Sequence, residues 1–182
     1  PARVLFGPGV AAEAGAAAAQ MGRRAFLVLG RDPARTATVQ ASMSASGVEW
    51  VVHVVPGEPT VDMARDATQA AREAGCDLVV AAGGGSVLDL GKAVAGLIGY
   101  GGDPLDYLEA IGRGLPMTRP ALPLVALPTT AGTGSEATRN AVLASPAHGV
   151  KASLRSPHLI PRLAMVDPEL TLEMPPSVTA ST

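Results

Sequence analysis

Leu78-Val79-Val80-Ala81-Ala82-Gly83-Gly84-Gly85-Ser86-Val87-Leu88-Asp89-Leu90-Gly91-Lys92-Ala93 is the stretch that decides the fold. Its first five residues are aliphatic without interruption, as in a strand buried on both faces of a parallel sheet. Three glycines and a serine follow, and then a helix. Consecutive glycines let the backbone come close to a ligand and reach positive φ. Ser86 is placed to cap a helix starting at Val87, with Asp89 three residues on as its capping-box partner. The N–H groups of such a first turn, and the helix dipole behind them, favour a phosphate. A plain strand–turn–helix connection seldom needs three glycines in a row. The stretch is not a Walker A loop, because no Gly-Lys-Ser or Gly-Lys-Thr occurs. Nor is it the G-x-G-x-x-G that follows the first strand of a standard dinucleotide fold, since here the glycines follow the fourth strand. A nucleotide site therefore requires a variant arrangement.

Outward from this stretch the chain alternates. Strands are expected at Arg3–Phe6, Ala25–Leu29, Trp50–Val55 and Leu78–Ala82. Helices are expected from Val10 to Gln20, Ala34 to Ser46, Val61 to Ala74 and Val87 to Leu97, with Gly47 and Gly75 as stops. Strand–helix alternation of this kind gives right-handed crossovers and a parallel sheet flanked by helices. The second half differs. The Gly- and Pro-rich segment Gly99–Pro123 offers only a short helix at Leu105–Leu108. A strand is expected at Leu124–Leu127. Asn140–Ser145 and Val150–Leu154 are expected to pair as a hairpin, and Leu163–Val166 is a last strand. Pro175-Pro176 suits the opening of a helix from Ser177.

Composition agrees with this class. The chain has 182 residues, suiting one domain or one and a fraction at roughly 100–200 residues per domain. Hydrophobic residues make up 47% and aromatics only 3%, so the core must be aliphatic. A net charge of -2 argues against a nucleic-acid surface. The single cysteine, Cys76, leaves no internal disulfide and points to a reducing, cytoplasmic compartment. No apolar run reaches the about 18 residues of a membrane span, and Pro1-Ala2-Arg3 does not open a signal peptide. Of 14 basic residues only Lys92 and Lys151 are lysines. The two exceptions are either chance or positions where a compact ammonium fits and a planar guanidinium does not.

Pro128-Thr129-Thr130-Ala131-Gly132-Thr133-Gly134-Ser135-Glu136 is the second signal. Four hydroxyls and two glycines after a strand can line a polar pocket without bulk. The plainer reading is a capped loop, with Ser135 or Thr133 as the cap. Asn140 reads by itself as a turn asparagine. His53, His148 and His158 are scattered, with no partner at i+4, and no metal-ligand spacing occurs.

Gly83–Ala93 resembles the GGGSxxDxAK signature of the iron-containing, group III alcohol dehydrogenases. Pro128–Glu136, PTTAGTGSE, is similar to that family's second signature. Lys151, Pro161 and the run Val166–Thr171 resemble its K…P…VDPELT segment, and Pro175-Pro176 with Thr179–Thr182 resembles the lead-in to its metal motif. The blocks fall in order along essentially the whole chain. The resemblance implies a Rossmann-like, dehydroquinate synthase-like domain over residues 1–174 that binds NAD(P). It also implies that residues 175–182 start an all-helical domain supplying an aspartate and three histidines to Fe²⁺ or Zn²⁺. Those ligands are expected to lie outside this chain, so no metal residue is assigned in it, and the chain alone is expected to be inactive. The activity implied is NAD(P)-dependent oxidation of a small alcohol or reduction of an aldehyde, in a cytoplasmic homodimer with no nucleic-acid or membrane partner. Glycerol dehydrogenase-like and maleylacetate reductase-like members of the superfamily are alternatives, though glycerol dehydrogenases and dehydroquinate synthases vary the PTTAGTGSE segment. A non-catalytic nucleotide-binding module is the alternative of a different kind.

Carried over residue by residue, the resemblance implies that Gly84, Gly85 and Ser86 hold the pyrophosphate and Asp89 lies near the nicotinamide ribose. Thr129, Thr130 and Thr133 would line the adenine and ribose pocket, and Asn140 and Lys151 would meet ribose hydroxyls. Where many NAD-preferring relatives carry an acid at the end of the second strand, this chain has Gly30 and then Arg31. An acid would repel a 2′-phosphate, whereas glycine leaves room and arginine can pair with it, so NADP(H) is expected to be accepted or preferred. Asp32 is the one nearby acid that could reverse this.

Overall fold

The computed structural model describes residues 1–181. In chain order the elements are β1 (Arg3–Phe6), α1 (Ala14–Ala19), β2 (Arg24–Gly30), α2 (Ala37–Ala45), β3 (Glu49–Val55), α3 (Val61–Glu73), β4 (Leu78–Gly83) and α4 (Gly85–Tyr100). Then come α5 (Pro104–Tyr107), β5 (Leu124–Pro128), β6 (Asn140–Ser145), β7 (Val150–Arg155), β8 (Leu163–Val166) and α6 (Pro176–Ser181). Short 3₁₀ turns precede α1 and α2 at Val10–Glu13 and Pro33–Thr36. Thr182, the last residue of the expected lead-in segment, lies outside the described residues.

Six strands form one parallel sheet in the order β1-β8-β5-β4-β2-β3. β4 and β5 lie at its centre and are buried along their whole length, which is why their sequences are aliphatic without alternation. The pleat still sorts side chains. Phe26, Val28, Val79 and Ala81 pack with α3, α4 and the hairpin on one face. Leu27, Leu29, Val80 and Ala82 pack with α1 and α2 on the other. The hairpin is separate: β6 and β7 pair antiparallel from Asn140↔Arg155 to Ser145↔Val150. Its inner residues Ala141, Leu143 and Leu154 are fully buried on the first face.

The strand order contains a reversal. From β2 the chain steps outward to β3, then returns across β2 to β4. The helix after β2 and the helix after β4 therefore pack on opposite faces. The carboxyl ends of β2 and β4 therefore form a topological switch point, the place where a crevice opens and ligands bind in α/β sheets of this kind.

Three local expectations are corrected. The helix after β4 begins at Gly85, not Val87, and its N-cap is Gly84 in extended conformation, with no side-chain cap. Ser86 is already inside the first turn, so it does not cap, and Asp89 is not its capping partner. Nor do Gly83, Gly84 and Gly85 adopt positive φ. Their role is space. The short helix after Gly102 starts one residue early, at Pro104, because Asp103 caps it and Asp106 closes the capping box. Gly47 and Gly75 do stop α2 and α3 in the left-handed conformation, at φ 74° and 68°.

Candidate functional site

Two loops meet at the carboxyl end of the sheet. The first is Gly83–Ser86, between β4 and α4. The second runs from Pro128, at the end of β5, to the 3₁₀ turn Ser135–Ala137. The two strands pair up to Gly83↔Pro128, and the Thr129 N–H continues the contact to the Gly83 carbonyl at 3.0 Å. A Cβ added at Gly84 would lie 3.3 Å from Thr130 Cγ2, and one at Gly85 only 3.0 Å from Thr133 Cγ2. The threonines of the second loop thus sit where side chains of the first would be. A Cβ at Gly83 would be 2.5 Å from Val87 Cγ2, so the turn into α4 admits only glycine. Gly30 stands in the neighbouring strand, its missing Cβ 3.8 Å from Val87 Cγ2, which leaves room at the crevice.

The Gly84 carbonyl accepts the Val87 and Leu88 N–H groups at 3.0 and 3.1 Å, whereas the Gly85 and Ser86 N–H groups at the start of α4 have no intrahelical acceptor and the glycine cap brings no side-chain oxygen to them. Thr129 is buried, and the Thr130 Oγ1 is buried without a hydrogen-bond partner. A buried hydroxyl left unpaired costs free energy, so an oxygen-rich ligand at this spot would relieve it. Uncapped amides, an orphan hydroxyl and glycines packed against threonines fit the pyrophosphate of a dinucleotide. Ser86 is half-buried in the first turn, beside them.

Behind this wall lies a buried charged cluster. The Lys92 side chain has no exposure, and its Nζ lies 3.1 Å from Asp89 Oδ1. It also donates to the Ser135 carbonyl at 2.9 Å and to Thr138 Oγ1 at 3.0 Å. Asp89 accepts the Ser135 hydroxyl at 2.6 Å on Oδ1 and the Val142 N–H at 3.2 Å on Oδ2. Burial pulls the Lys92 ammonium below its usual range, against the opposing pull of Asp89 and Glu136. Composition marked this lysine as unusual, but Ser135 lies 46 residues from Asp89 and nothing local in the sequence paired them.

The remaining expected residues spread along the outer face of the hairpin. Asn140 and Lys151 share that face, since Asn140 pairs with Arg155 and Lys151 with Ala144. They stand four residues apart along the ladder, roughly 13 Å at about 3.3 Å per residue, so only an elongated ligand could meet both. Asn140 Oδ1 is a second buried acceptor without a partner. Lys151 is mostly exposed and forms an ion pair with Glu58, a residue of the β3–α3 loop. That loop is tied to the hairpin by the Ala144 N–H, 2.8 Å from the Pro59 carbonyl. Arg31 donates to the Pro56 carbonyl, 3.0 Å from Nε. Asp32 caps the 3₁₀ turn, accepting the Ala34 N–H at 3.1 Å.

Among the described residues no group of three or more His, Cys, Asp and Glu side chains could hold a metal ion. His53 lies in β3 against the Phe26 ring, and His148 pairs with Ser145 at the hairpin turn. No helix among the described residues is long and apolar enough to cross a membrane.

The parallel sheet, its switch point and the two small-residue loops define a Rossmann-like α/β domain. The chain belongs to the iron-containing alcohol dehydrogenase family, whose model matches residues 1–168. It is 41% identical over 162 residues to the 4-hydroxybutyrate dehydrogenase of Cupriavidus necator, covering 88% of this chain and 42% of that one. It is 38% identical over 188 residues to the mitochondrial hydroxyacid-oxoacid transhydrogenase of Mus musculus, covering 98% and 40%. The sulfoacetaldehyde reductase of Bifidobacterium kashiwanohense, solved in complex with NAD⁺, superposes with a TM-score of 0.89 at 36% identity, over 98% of this chain and 48% of that one. The chain thus spans less than half the length of these relatives.

Proposed function

We propose that this domain holds NAD(P)(H) in an alcohol dehydrogenase or aldehyde reductase. The observation that carries the reading is the uncapped start of α4 at Gly84 and Gly85, roofed by Thr130 with its unpaired buried hydroxyl. Gly84, Gly85 and Ser86 would take the pyrophosphate. Thr129, Thr130 and Thr133 would line the adenosine side, while Asn140 and Lys151 would reach the sugars along the hairpin face. When bound, the nicotinamide supplies or accepts the hydride. The chain's own part is to orient it and keep one wall of the pocket dry. Fe²⁺ or Zn²⁺ finds no ligand set among the described residues, so polarisation of the substrate oxygen comes from elsewhere in such an enzyme. The same reading carries a small alcohol or aldehyde substrate and a homodimer in the cytoplasm. The buried, unpaired Cys76 accords with a reducing compartment.

NADP(H) is preferred in this reading. Gly30 leaves space at the end of β2, and Arg31 is exposed and held only by a neutral carbonyl. A 2′-phosphate is a stronger acceptor for a guanidinium than a carbonyl oxygen. Titration of the chain with NADH and NADPH, followed by nicotinamide fluorescence, tests both statements. Binding of either cofactor, weakened about tenfold or more by Gly84→Val, is expected, since the added side chain meets Thr130. No binding of either cofactor overturns the function. NADH binding about tenfold tighter than NADPH overturns only the preference.

A further inference from the structure

The cluster of Asp89, Lys92 and Ser135 joins α4 to the second loop and to the hairpin. We infer that Lys92 and Asp89 are positioning residues that hold Ser135, and through it Thr133, over the start of α4. The inference rests on the cofactor reading above.

Ser135 is fixed at three atoms. Its hydroxyl donates to Asp89 at 2.6 Å, its carbonyl accepts from Lys92 at 2.9 Å, and its N–H reaches Thr133 Oγ1 at 3.4 Å. Thr133 in turn lies where a Cβ of Gly85 would come within 3.0 Å. A continuous chain of contacts therefore runs from the middle of α4, through the second loop, back to the helix's own first turn. The two lower members stand on α4 three residues apart, on one side of the helix. The helix that presents amides to a phosphate thus also fixes the loop that covers them. This cluster ties the two walls together across a loop that is exposed between Ala131 and Thr133.

The chemistry requires lysine. Three acceptors, Asp89 Oδ1, the Ser135 carbonyl and Thr138 Oγ1, converge on one nitrogen at 2.9 to 3.1 Å. An ammonium has three donors on one atom, and these three acceptors use them all. A guanidinium spreads its donors over a plane and cannot place a single nitrogen among the three. Asp89 is as specific: its two oxygens serve Lys92 and Ser135 on one side and the Val142 N–H of the hairpin on the other. Asp89 is thereby tied to both Ser135 and the hairpin.

The test uses the whole chain in two measurements. Amide hydrogen exchange of the free protein reads the loop without any ligand. Lys92→Met and Ser135→Ala are each expected to speed exchange at residues 133–138 while β2, β4 and β5 stay protected. Titration with NADH and NADPH reads the consequence: both variants bind about tenfold or more weakly, the double variant little worse than either single one, and Lys92→Arg does not rescue. Where Lys92→Met does not fold, Ser135→Ala carries both measurements by itself. Unchanged exchange at residues 133–138, or unchanged affinity in Ser135→Ala, overturns the positioning role. Faster loop exchange in the variants of a wild-type chain that binds no cofactor leaves the clamp standing and sinks the cofactor reading instead.

Discussion

The two lysines of this chain sit in opposite surroundings, and each has a carboxylate beside it. Lys92 is sealed under the second loop with Asp89, its side chain fully buried. Lys151 stands on the outer face of the hairpin with Glu58, its side chain 62% exposed. The same pair of charges does different work in the two places. In the interior, each partner is needed to make the other's burial tolerable, so removing one leaves an uncompensated charge. On the surface, water and salt stand in for either partner at little cost. The buried pair is a structural joint. The exposed pair leaves its ammonium available to a ligand.

Asp89→Ala is the harshest way to break this contrast. It strands the Lys92 ammonium and should cost about 3 kcal/mol or more of unfolding free energy, measured by urea denaturation. A loss no larger than that of a surface substitution would erase the distinction. Next is alkaline pH. Lys92 titrates below its ordinary 10.5 in the folded chain, chiefly through burial. Between its folded value and 10.5 the unfolded chain binds more protons, so this group's contribution to stability rises as pH climbs through that window. Below its folded value its burial cost is fully present. Lys92→Met should flatten that rise in a series of denaturation curves; a slope unchanged by the substitution would assign the effect to another group. Lys151→Met is expected to do the reverse of Asp89→Ala, leaving stability within about 0.5 kcal/mol while weakening NAD(P)H binding several-fold. The smallest effect belongs to Glu58→Ala: stability again within about 0.5 kcal/mol, and cofactor affinity equal or slightly higher, because Lys151 loses its competitor. A marked fall in affinity would mean that Glu58 aims the lysine instead of holding it.

The architecture was legible because its signals are local. Uninterrupted aliphatic runs at Leu78–Ala82 and Leu124–Leu127 marked strands, and both lie at the middle of the sheet. Gly47 and Gly75 end helices for a reason contained in one residue, the freedom to adopt positive φ. The helix start at Gly85 was misplaced because the usual cap signal pointed to Ser86, whereas the true cap, Gly84, carries no side chain to announce it. At the site, the two small-residue loops were legible as pieces. Their meeting was not, since the contacts of Gly84 with Thr130 and of Asp89 with Ser135 each join residues 46 apart. Arg31 was legible as a cation near the crevice, but not its turn toward the Pro56 carbonyl, which depends on the neighbouring loop.

A helix capped by glycine forgoes roughly a few tenths of a kcal/mol that a capping side chain at Gly84 could have contributed. Whatever anion settles there restores it, and does so only for the folded chain. Linkage then makes the melting temperature a reading of solution composition: at ten times its dissociation constant an anion adds about 1.4 kcal/mol to the unfolding free energy. On the cofactor reading proposed above, phosphate in a buffer would compete for the α4 terminus, and a stability measured in it would include that occupancy.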